Sequence, residues 1–240
     1  MVDPKEAQQI YSQNLAFTDR IQSLADKTLQ SMNISSQEKF GVLHWRAEKP
    51  GLDYESCTRQ LIQAKEAIEQ SSSLIYQQED QPRMPFVLMS SLSLDSNLQW
   101  WGDRQRDFTG NWTSSDALLS LVDDHGFRKA DSSLPDQPDL IVYAAVDLIL
   151  AKRATIFSTC TKECQQGNYA SFNFCTSCNH LGNFARLAVD IRHERKNNRR
   201  HDPSSLVCWP QTPSDVQAIP KVERKISSWP QKVRHHFLDE

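Results

Sequence analysis

Two short apolar runs, Phe40-Gly41-Val42-Leu43-His44-Trp45-Arg46 and Phe86-Val87-Leu88-Met89, bracket a stretch whose apolar residues recur at helical spacing. Leu61, Ala64, Ala67 and Ile68 mark that helix, which the pattern extends from about Asp53 to Leu74. A connection of this length is too long for a hairpin and suits a helical crossover, so the two strands are expected to run parallel. Ser114 then reads as the cap of a helix carrying Leu118, Leu119 and Val122, stopped by Gly126. The nearly all-apolar run from Asp139 to Lys152 is too long for a typical strand and predicts a buried helix leading into a strand at Ala154–Phe157. Gly182-Asn183 opens a further helix with Phe184, Leu187, Ala188 and Ile191 on its inner face. This alternation predicts an α/β fold with a Rossmann-like, doubly wound parallel sheet. In such sheets ligands bind beyond the C-terminal strand ends, which places His44, Arg46 and Thr159 at the expected binding edge.

The flanks read differently. Asp3-Pro4 opens like a helix, and Ile10, Phe17, Ile21 and Leu24 continue one apolar face, so residues 1–36 are expected to hold an amphipathic helix over about 5–31. The sheet-forming region is expected to span 37–202, with a cysteine-bearing insertion at 160–181. From Pro203 to residue 240 the prolines Pro210, Pro213, Pro220 and Pro230 leave loops and one short helix at most. Residues 186–240 hold 11 basic and 7 acidic side chains in a chain of formal net charge −3. Glu194 and Glu223 interrupt the basic runs and no basic-aromatic signature accompanies them, so this tail reads as solvated surface and no nucleic-acid partner is expected. No apolar run reaches the ~20 residues of a membrane span. Met1–Gln30 carries acidic and amide residues where a signal peptide has its apolar segment, so the expectation is a cytosolic chain or one whose natural front end is missing.

Several constellations have chemical potential. His44 and Arg46 lie two apart on a strand end and share a face; a guanidinium there can clamp a phosphate through its forked donors. Gly182-Asn183-Phe184-Ala185-Arg186 stands at a helix start, where free N–H groups and the helix dipole favour an anion. Both features at one sheet edge point to a diphosphate ligand. Asp147, inside the apolar Leu140–Leu150 run, needs a partner. The donor edge of a guanine base is one, and Lys152 or Arg153 is the structural alternative. Cys160, Cys164, Cys175 and Cys178, with His180 behind them, suit disulfides, free thiols or a tetrahedral zinc site, and Cys57 and Cys208 are possible further disulfide partners. Asn33-Ile34-Ser35 and Asn111-Trp112-Thr113 match the N-glycosylation sequon.

The segment Leu43-His44-Trp45-Arg46-Ala47-Glu48-Lys49, continued by Leu52, Tyr54 and Cys57, resembles the plant-type GDP-fucose protein O-fucosyltransferase family. So does a second block comprising Ala144-Ala145-Val146-Asp147, Ile156-Phe157 and Gly182-Asn183-Phe184-Ala185-Arg186. The resemblance covers roughly residues 40–200 and implies the donor-binding C-terminal lobe of a GT-B glycosyltransferase, inverting and metal-independent, with no cofactor beyond the donor GDP-fucose. It implies that Arg46 holds the donor diphosphate and is the main catalytic side chain, with His44 beside it. Asp147 would then read guanine, Asn183 and Phe184 would line the phosphates, and Glu48 would support Arg46. The acceptor would be a hydroxyl of a protein or glycan, and the location the Golgi or ER lumen behind an upstream anchor.

The sequence departs from the family in three places. An insertion of 22 residues separates Thr159 from Gly182, Leu181 replaces the first of two family glycines, and no glycine-rich N-terminal lobe precedes Phe40. Two other readings follow from the same residues: an inactive nucleotide-binding or interaction module, and a zinc-binding protein built on Cys160–Cys178.

Overall fold

The computed structural model describes residues 17–47, 52–76, 84–90, 112–129, 140–160, 183–195 and 205–216. Five strands, β1 Gly41–Trp45, β2 Phe86–Ser90, β3 Phe127–Arg128, β4 Ile156–Ser158 and β5 Ser205–Leu206, form one sheet in the order β3-β2-β1-β4-β5. Every pairing is parallel. The expected Rossmann-like α/β sheet is therefore present. β1 lies at its centre, between β2 and β4, and the chain reverses its direction of winding there.

The helices are α1 Asp19–Ser31, α2 Tyr54–Tyr76, α3 Ser114–Leu119, α4 Leu140–Arg153 and α5 Asn183–Arg195. α2 packs with α3, while α4 packs with both α1 and α5. Right-handed crossovers to either side of β1 require these two groups to cover opposite faces. Burial on both faces explains why β1 and β2 read as continuous apolar runs. Val42, Leu43, Trp45, Phe86, Val87 and Leu88 are all buried. Gly41 faces Phe86 across the β1–β2 pair, and a Cβ on Gly41 would stand 2.5 Å from the Phe86 ring. Only glycine lets that ring lie over the strand.

Several boundaries differ from the sequence reading. The strand expected at Ala154–Phe157 starts later because the Ala154 N–H still donates to Leu150 O at 2.9 Å, completing the last turn of α4. The cap expected at Ser114 is Thr113: its hydroxyl accepts from the Asp116 N–H at 3.1 Å while the Asp116 carboxylate accepts from the Thr113 N–H at 2.7 Å. β3 and β5 were not expected, since two residues give no alternation to detect. β5 also carries the sheet and its core past the boundary expected at 202: Leu206, Val207, Cys208 and Trp209 join the main hydrophobic cluster. Of the helix expected over 5–31, the described part is α1; residues 1–16 lie outside the described residues, as do 217–240 of the basic tail. No described helix is long and apolar enough to cross a membrane.

α1 closes in a Schellman turn. Asn33, at φ 55°, donates its N–H to Gln30 O at 2.9 Å, and Ile34 donates to Leu29 O at 2.9 Å. Leu29 and Ile34 are both buried, as the motif's apolar contact requires.

Candidate functional site

The C-terminal end of β1 is built largely by the first motif block. Trp45 is buried and meets Tyr54 edge-on, with ring centroids 5.9 Å apart. The Tyr54 hydroxyl donates to Ala47 O at 3.3 Å. Leu52, Tyr54 and Cys57 are core residues that fix the exit of the chain from β1, and Arg46 sits half-buried in that exit.

His44 is the meeting point of the two blocks. Its Nδ1 is 2.9 Å from Thr159 Oγ1, a hydrogen bond to the buried residue just beyond β4. Its ring also stacks at a tilt on Phe184, with centroids 5.2 Å apart, in the first turn of α5. The Trp209 indole donates to the His44 carbonyl at 3.3 Å. Thus β1, β4, α5 and the segment after β5 converge on one histidine at the point where the sheet reverses, the position at which open α/β sheets bind ligands. Asn183 is the first residue of α5, so the first-turn backbone N–H groups begin there. Glu48 lies outside the described residues.

Asp147 belongs to a neighbouring pair. Its electrostatic partner is Lys129, just beyond β3, and not the Lys152 or Arg153 that the sequence offered as structural alternatives. Arg153 instead pairs with Asp26 of α1 at 2.5 Å, and Lys129 also donates to Ser90 O at 2.7 Å, at the end of β2. Burial raises the Asp147 carboxyl to about 6, and the Lys129 charge only partly offsets this. Burial likewise lowers the Lys129 ammonium, against the pull of Asp147. Lys129 was missed because it follows a two-residue strand with no periodic signal.

A pH dependence follows from Asp147. Its folded-state pKa lies above that of an unfolded carboxyl, so the folded protein binds the proton more tightly. The resulting stabilisation is complete below the ordinary carboxylate range and is lost as pH rises through about 6. We expect urea unfolding to show a loss of about 1–3 kcal/mol between about pH 4 and pH 7.5 from this group. Asp147→Asn flattens that part of the profile; an unchanged profile in the variant would exclude Asp147 as its source.

Cys57, Cys160 and Cys208 are all buried and all disulfide-bonded. A disulfide sulfur has no thiolate to give a metal, so the zinc alternative does not hold for Cys160. Cys164, Cys175 and Cys178 lie outside the described residues. Among the described residues no group of three or more His, Cys, Asp or Glu is arranged to hold a metal. No family model, curated protein sequence or solved structure matches the chain. The fold and site together define a Rossmann-like α/β protein with a polar cluster at its switch point.

Proposed function

We propose that this chain is the donor-binding lobe of a GDP-fucose-dependent O-fucosyltransferase. The observation that supports it is the convergence of two motif blocks, far apart in sequence, on His44: Thr159 and Phe184 both contact a ring two residues before Arg46. If Thr159 donates to Nδ1, the His44 proton lies on Nε2, the ring nitrogen away from Thr159. Arg46 and the first-turn N–H groups of α5 add further donors for a diphosphate. In the reaction an acceptor hydroxyl attacks the sugar C1, the C1–O bond to the β-phosphate breaks, and GDP departs with inversion. Arg46 stabilises the charge that grows on the leaving phosphate. Asp147, as carboxylate, accepts from the guanine edge.

Calorimetric titration with GDP, GMP and UDP tests the reading. GDP is expected to bind best, and Arg46→Ala is expected to weaken it about 10- to 150-fold, the equivalent of one charge-assisted hydrogen bond. No GDP binding, or equal binding by the variant, would sink the proposal. GDP binding with no transfer of labelled fucose to protein or glycan acceptors would leave a nucleotide-binding module.

A further inference from the structure

The sequon Asn33-Ile34-Ser35 has a defined place in the fold that the nucleotide site does not use. It forms the Schellman turn after α1, in which Asn33 and Ser35 are exposed while Ile34 is buried between them. Asn33 occupies the left-handed conformation at φ 55°, which asparagine tolerates better than most residues. Its backbone closes the helix, and its exposed side chain leaves the core undisturbed. The Ser35 N–H donates to Glu38 Oε2 at 3.1 Å, and among the described residues no hydroxyl bond ties Ser35 into the core. In the folded chain the other sequon sits differently: its Trp112 packs against the core.

A second observation concerns the compartment. The cysteines described, Cys57, Cys160 and Cys208, are bonded as disulfides and none is free. Disulfides persist in oxidising compartments, and there Asn-X-Ser sequons meet the glycosylation machinery.

We infer that Asn33 is an N-glycosylation site. The co-reactant is an oligosaccharide carried on a lipid diphosphate. Asn33 Nδ2 attacks the anomeric carbon, the C–N bond forms as the C–O bond to the diphosphate breaks, one amide proton passes to the transferase's base, and the lipid diphosphate leaves. The reaction needs the sequon extended, as it is in a chain entering the lumen. The folded turn then presents the glycan to solvent at the end of α1, with the helix closure intact.

The full chain, secreted from eukaryotic cells behind a cleavable leader, tests this by peptide mass spectrometry before and after enzymatic removal of N-glycans. A glycan on Asn33 is expected. Asn33→Gly keeps the left-handed turn, and Ser35→Ala leaves Asn33 in place; both are expected to abolish the glycan while the secreted chains retain the parent's helical circular dichroism. Folded, secreted chain with Asn33 unmodified would overturn the inference, as would a glycan persisting on Asn33 in Ser35→Ala. GDP titration of the same preparations reads the nucleotide site separately.

Discussion

Arg192→Ala is expected to lower unfolding free energy by about 3–5 kcal/mol, a large part of the stability of an ordinary domain. The guanidinium is buried on α5. It donates to Ala151 O, to Ala154 O at 2.7 Å, to Thr155 O at 3.4 Å and, through Nε, to Ser205 Oγ at 2.8 Å. Three of these acceptors are carbonyls at and just past the end of α4, where the helix has no N–H groups left to offer and its dipole is negative. One side chain thus closes α4 and ties α5 to the turn before β4 and to β5. Truncation leaves the acceptors on buried Ala151, Ala154 and Ser205 in a dry interior with a cavity beside them. Arg192→Lys is expected to recover only part of the loss, because an ammonium on a single stem cannot serve a forked set of acceptors. Guanidinium chloride unfolding checks this; a loss below about 1 kcal/mol for Arg192→Ala would show that water or neighbouring groups replace the guanidinium.

Arg192 also shows where sequence reading stops. β1, β2, α2 and α4 were legible because long apolar periods carry their own signal, and burial of the sheet on both faces makes those runs continuous. The parallel sheet followed from crossover length alone. Arg192 sits in a charged stretch, Arg192-His193-Glu194-Arg195, that reads as solvated surface, and only the meeting of α5 with the end of α4 and with β5 makes it a core residue. β3 and β5 are defined by their neighbours' open edges and not by their own composition. At the site, His44, Thr159 and Phe184 were each placed correctly at the C-terminal strand edge, but their mutual contacts depend on β1 and β4 being adjacent. That adjacency is a matter of strand order, which no local pattern encodes. Lys129 as the partner of Asp147 was hidden for the same reason.

Reduction of the disulfides is the second large effect. Cys57 lies in the first turn of α2, Cys160 two residues beyond β4, and Cys208 two residues beyond β5. Each bond is thus anchored at the C-terminal edge of the sheet. Each bond restricts the unfolded chain, and its loss is expected to cost about 2–5 kcal/mol. Reduction frees buried sulfurs next to Thr159, whose hydroxyl orients His44, and beside Trp209, which holds the His44 carbonyl. Loss of the GDP binding proposed above is therefore expected to precede loss of helical circular dichroism as reductant rises. Thiol mapping under denaturing conditions is expected to find Cys57, Cys160 and Cys208 blocked before reduction. A fully reduced chain with unchanged unfolding midpoint would show that the bonds contribute nothing to the fold, and one that keeps full GDP affinity would separate them from the site.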